Sequence, residues 1–147
     1  MFQKVSLLLI FLFIFAILGC DRAGDRKRPP GYLKIGLIST FNEGDNYLPE
    51  LRLMLRKDSY GYSVMSTECT YDLTPLKKIV NKNSYIWKSD YTNSSYNADG
   101  TVITEPATVK LPYYELVLSA SKYGGEIDTL YVSIGKEVTA NWRLKIK

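Results

Sequence analysis

The chain has no histidine, and its 147 residues include only two cysteines, Cys20 and Cys69. The missing imidazole removes the commonest general base and the commonest metal ligand together. Ser–His–Asp and Cys–His catalytic arrangements are therefore excluded. A structural zinc site takes about four ligands, usually rich in Cys or His, and these thiols do not supply them. No two carboxylates stand close enough in sequence to suggest a glycosidase couple. Strong charge is also missing. Nineteen Lys and Arg against 15 Asp and Glu leave +4 at neutral pH. The basic residues are spread out and not striped, which argues against a nucleic-acid partner. Nothing in this composition points to catalysis, and the expectation is a protein that is not an enzyme.

What is present begins at the N-terminus. Lys4 precedes a mostly apolar run over residues 5–18, followed by Gly19 and Cys20. A positive start, a short apolar stretch and a small residue fit a signal peptide over 1–19. A spanning helix usually needs about 20 apolar residues. The segment Ile17-Leu18-Gly19-Cys20 resembles a bacterial lipobox. That resemblance implies cleavage before Cys20 and acyl chains on the new N-terminus, making the bilayer a partner through those chains; two chains suffice for firm anchoring. Asp21, next in line, slightly favours the inner membrane. Residues 20–31 are charged and rich in Pro and Gly, which reads as a flexible tether. Within it, Arg26-Lys27-Arg28 is suited either to anionic head groups or to plain solvation. The expected location is the periplasmic side of the cell envelope.

From residue 32 to 147 the pattern has a period of two and describes one small β domain. Leu51, Leu53 and Leu55 alternate with Arg52, Met54 and Arg56. Leu130, Val132 and Ile134 form a second alternating set, and Trp142, Leu144 and Ile146 a third. Such alternation predicts strands with one buried face. Residues 62–66 and 114–119 read as further strands. Asp99-Gly100 and Gly124-Gly125 are hairpin-grade turns. Twelve tyrosines agree with sheet. A short helix is expected only over 73–81, broken near Pro75. The predicted fold class is all-β, with stacked antiparallel sheets.

Around Cys69 the sequence takes on a family character. The stretch 51–72, ending Glu68-Cys69-Thr70-Tyr71-Asp72, resembles the approach to the first cluster loop of a Rieske [2Fe–2S] domain. Residues 89–100, then Glu105-Pro106-Ala107, stand where that family has its second loop and a Gly-Pro-Ala. Residues 111–116 and 135–144 are similar to its closing strands. The family holds its cluster with a Cys-x-His and a Cys-x-x-His pair. On this resemblance Cys69 matches the first Cys ligand. Tyr71 takes the place of the first His, Ser89 of the second Cys and Thr92 of the second His. Thr74 and Tyr91 stand where some members have a disulfide. One thiol and three hydroxyls do not suit a cluster that wants two thiolates and two imidazoles. The resemblance thus implies a Rieske-like domain without its cofactor and without metal.

A loop that loses a metal also loses the folding free energy it brings. Tyr71, Trp87, Tyr91 and Tyr96 are the candidates to replace it, with Tyr71 or Tyr91 expected to fill the cluster's volume. Cys69 has no intramolecular partner once Cys20 carries lipid. It reads either as a thiol pairing two molecules through a disulfide or as a buried small hydrophobe. Tyr60, Tyr62, Tyr91, Tyr113 and Tyr114 read either as a recognition surface or as half-buried sheet residues. Lys77, Lys78 and Lys82 read as a solvated face. The leading functional expectation is a non-enzymatic interaction or accessory subunit with a protein partner in the envelope, its setting a redox complex by analogy. The alternatives are an electron-transfer iron–sulfur protein and an envelope module binding a peptide or glycan.

Overall fold

The computed structural model describes residues 31–119 and 128–146. The expectations placed on residues 1–30, among them Cys20 and most of the tether, and on Gly124-Gly125 lie outside them. The described chain is all-β, with ten strands and two single-turn 3-10 segments. The strands are β1 (Leu33–Leu37), β2 (Gly44–Leu48), β3 (Leu53–Asp58), β4 (Gly61–Ser66), β5 (Lys77–Asn81), β6 (Ser84–Lys88), β7 (Ser95–Asn97), β8 (Val102–Thr104), β9 (Tyr113–Leu118) and β10 (Thr129–Val138). A six-stranded sheet runs β1-β10-β9-β4-β3-β2, and a four-stranded sheet runs β5-β6-β7-β8. Every pairing is antiparallel. No helix among the described residues is long and apolar enough to cross a membrane.

The core lies in two clusters on opposite faces of the larger sheet. Alternation along β3 and β4 decides which side chain goes where. Leu53, Leu55, Tyr62 and Val64 join Phe41, Leu116, Leu130 and Val132 on one face. Met54 and Met65 point the other way and pack with Cys69, Leu76, Trp87 and Tyr96 beneath the smaller sheet. These central strands are therefore buried on both faces, where the sequence predicts burial on one. The second sheet makes the difference. It is joined to the first through Asp45 on β2, which Arg56 on β3 holds in a two-pronged pair at 2.6 and 3.2 Å. Asp45 in turn accepts the Tyr85 hydroxyl from β6. Burial pushes the Asp45 carboxyl up, but the Arg56 and Tyr85 hydrogen bonds outweigh it and hold it below the usual range.

Three sequence expectations need correction. The helix over 73–81 is absent. Asp72-Leu73-Thr74 forms a turn with Leu73 at φ 57°, and β5 follows. Pro75 blocks a helix from propagating, and the β-branched Ile79-Val80 pair gains a ladder with Tyr85 and Ile86. Ile134 is exposed while Leu130 and Val132 are buried, because the β10 register shifts between Ser133 and Glu137 and turns the strand. The third alternating set forms no strand. Residues 139–146 cross the sheet irregularly with one bridge, Tyr62 to Leu144. Trp142, Leu144 and Ile146 still pack on the core.

Candidate functional site

Three loops meet at one end of the sheets: 67–76 between β4 and β5, 89–94 between β6 and β7, and 105–112 between β8 and β9. The first is shaped by its own backbone. Cys69 N–H donates to the Thr74 carbonyl at 2.8 Å, Leu73 N–H to Cys69 at 2.9 Å and Leu76 N–H to Thr67 at 2.9 Å. These bonds turn the Cys69 side chain inward, where it is fully buried.

A chain of side-chain hydrogen bonds then links the loops. Thr70 donates its hydroxyl to the Val109 carbonyl at 2.7 Å, tying loop 67–76 to loop 105–112. Thr70 N–H donates to the Tyr96 hydroxyl at 3.0 Å. Tyr96 donates its own proton to the Cys69 sulfur at 3.4 Å. The Ser89 hydroxyl donates to Asp72 at 3.0 Å. Thr74 adds its N–H at 3.0 Å and its hydroxyl at 2.6 Å to the same carboxylate. Burial pushes the Asp72 carboxyl up, yet the donors from Thr74, Cys69 and Ser89 prevail and bring it down to about 2. Asp72 is thus a fixed anion held by Thr74 and Ser89. Ser89 also receives the N–H groups of Tyr91 and Thr92 at 3.1 and 3.2 Å. Ser94, fully buried, accepts the Thr92 hydroxyl and the Ala107 N–H, both at 3.1 Å.

Under this network sit Trp87 and Tyr96, each 0% exposed. They face one another across β6 and β7, so both rings point to the same side of the small sheet. Trp87 meets Tyr47 at 5.2 Å and Tyr85 at 5.5 Å between ring centres. Tyr71 and Tyr91 do the opposite of what the sequence predicts. They are 61% and 77% exposed and fill no interior volume. Both lie on loop tips, where no ladder directs a side chain inward. With Leu73 at 72% and Val109 at 61%, they give the three joined loops an apolar outer surface.

The four positions that the resemblance matches to cluster ligands are only partly assembled. Cys69 accepts from Tyr96, Ser89 donates to Asp72, Thr92 turns to Ser94, and Tyr71 faces outward. The donor set does not fit a two-iron centre. It offers one sulfur, already hydrogen-bonded, and hydroxyls that ionise far above neutral pH. Burial of Cys69 also leaves its sulfur without a path to a second molecule while the loop stays folded. Asp72, Thr70 and Ser94 escaped the sequence reading, although Asp72-Leu73-Thr74 carries the Asx-turn pattern that could have flagged the first.

The sequence matches no known family model. None of the curated proteins matches it either. Among solved structures, the chain is similar to one from a complex of reduced oxygenase and oxidized ferredoxin in carbazole 1,9a-dioxygenase. There the identity is 15% and the TM-score 0.44, over 76% of this chain and 99% of that chain.

Proposed function

We propose that this chain is a cofactor-free, Rieske-like lipoprotein that serves as a non-enzymatic interaction or accessory subunit on the periplasmic side of a bacterial membrane. In this reading Cys20 carries the lipid, and the three-loop end faces a protein partner in a redox assembly. One observation carries it. Three of the four positions matched to cluster ligands, Cys69, Ser89 and Thr92, are engaged in hydrogen bonds within the loops, while Tyr71 and other large side chains on the same loops face outward. A network of this kind takes over the metal's structural role, because the hydroxyls of Thr70, Thr74, Ser89, Thr92 and Tyr96 and the Cys69 thiol gain partners inside the fold. Exposed apolar side chains grouped on adjoining loops are costly in water and suit a contact surface. The non-enzymatic reading follows from the chemistry of the groups. Asp72 is held ionised by its donors, Cys69 is enclosed, and no imidazole exists to activate either.

The test is direct. Purified protein is expected to be colourless, with iron and acid-labile sulfide far below one cluster per chain. Stoichiometric iron and sulfide would overturn the cofactor-free reading and restore the electron-transfer alternative. Metabolic labelling with a fatty acid, lost in Cys20→Ala, checks the anchor separately. Co-purification from envelope fractions, lost in a Tyr71→Ser, Leu73→Ser, Tyr91→Ser triple variant, checks the contact surface.

A further inference from the structure

The far end of β4 carries a second feature. Asp58 and Gly61 close a two-residue turn whose outer residues are Ser59 and Tyr60. The Tyr60 ring is 74% exposed. We propose that the groove around Tyr60 binds an acidic carbohydrate, with a sugar ring on the tyrosine face and its anionic substituent on Lys57 and Lys145. This site is at the opposite end of β4 from loop 67–76 and stands independently of the reading above.

Shape is the first argument. Two depressions, of about 530 and 400 Å³, both have Tyr60 and Lys145 in their walls. The first is completed by Lys57, Tyr62 and Ile146, the second by Asn141 and Arg143. Together they form an open trough around one aromatic ring. That shape suits a chain of rings lying across it better than an enclosed small molecule.

Rigidity is the second. Tyr60 N–H donates to Asp58 at 2.9 Å. Arg143 donates to Asp58 at 3.0 Å and to the carbonyls of Ala140 and Trp142 at 2.8 and 2.9 Å. Tyr62 and Leu144 exchange both backbone hydrogen bonds, at 3.0 and 2.8 Å. Gly61, at φ 128°, sits so close to the Leu144 carbonyl that a Cβ would lie 2.3 Å from its oxygen. The ring is therefore presented on a fixed base, and a ligand need not order it.

Charge is the third. Arg143 neutralises Asp58, the one side-chain carboxylate that the described residues place in the trough. Among the described residues neither Lys57 nor Lys145 pairs with a carboxylate. Lys57 reaches only the Phe41 carbonyl at 3.3 Å and the Tyr62 ring at 5.8 Å. Two ammonium groups beside an exposed ring complement a ligand that is both anionic and ring-shaped. An extended peptide is disfavoured, because the Tyr62 backbone is already paired with Leu144 and offers no free ladder.

The experiment is calorimetric titration of the full chain carrying Cys20→Ala. The probes are oligogalacturonate, its neutral methyl ester, a sulfated oligosaccharide and oligoglutamate. At least one acidic sugar is expected to bind saturably, with the methyl ester and oligoglutamate at least tenfold weaker. Tyr60→Ala is expected to weaken that binding about tenfold with an unchanged melting temperature. Lys57→Gln and Lys145→Gln are each expected to weaken it about threefold and to flatten its salt dependence. No saturable binding of either acidic sugar would overturn the proposal. So would oligoglutamate binding as tightly as the sugar, or a Tyr60→Ala variant that binds like the parent.

Discussion

At its C-terminal end β4 runs into loop 67–76, where side chains hold the backbone: one carboxylate, one thiol and the hydroxyls of Thr70, Thr74, Ser89 and Tyr96. At its N-terminal end the same strand begins at the Ser59-Tyr60 turn. There the backbone does most of the holding, through the Tyr62 and Leu144 exchange and one glycine with no room for a side chain. The two ends solve one problem, fixing a loop, by different chemistry. The first depends on an ionisation state and on buried aromatic volume. The second depends on steric fit and an ion pair. Each should fail under its own kind of perturbation.

The largest expected effect is at the aromatic base of the three loops. Trp87→Ala should lower unfolding free energy by about 3–5 kcal/mol in a denaturant titration, and a loss under about 1 kcal/mol would contradict its packing. Next comes the opposite end, where Gly61→Ala should cost about 2–3 kcal/mol through backbone strain and the clash with Leu144. A neutral result there would remove the contrast between the ends. Asp72→Asn should cost about 1–2 kcal/mol, since a neutral amide serves these donors less well. The ionisation has a sign that can be checked. The folded carboxyl sits at about 2, below its ordinary 3.8. Its contribution is therefore complete above about pH 4 and disappears as pH falls through 2. Acid melts of the parent should lose stability across that window, and Asp72→Asn should lose less of it. The smallest effect is expected for Tyr71→Ser and Tyr91→Ser, each within about 0.5 kcal/mol. A larger change would mean that those rings pack inward.

The alternation of Leu53 and Leu55 with Met54 made the all-β class readable, and the strand expected over 62–66 matches β4 almost residue for residue. The helix expected over 73–81 did not form, because Ile79 and Val80 find their partners in β6, a contact that local pattern does not contain. Ile134 continued a readable alternation, but a register shift in β10 overrode it. At the candidate site, Cys69 is buried and Ser89 bonds to Asp72. Tyr71, from the same spacing, and Tyr91, expected as a filler of interior volume, face outward. Spacing specifies where a backbone passes and leaves side-chain direction open.

The amino-acid order alone determined the chemistry on offer. A chain without imidazole and with one thiol in its β domain has a fixed inventory of donors, and no fold can add to it. It also determined strand character, because period-two patterning is local. Which tyrosine entered the core was decided by the fold. Tyr96 stands opposite Trp87 in a ladder that aims both rings to one side, whereas the loop tips carrying Tyr71 and Tyr91 have no such constraint. Direction comes from pairing between strands distant in sequence, and pairing exists only once the sheets have assembled.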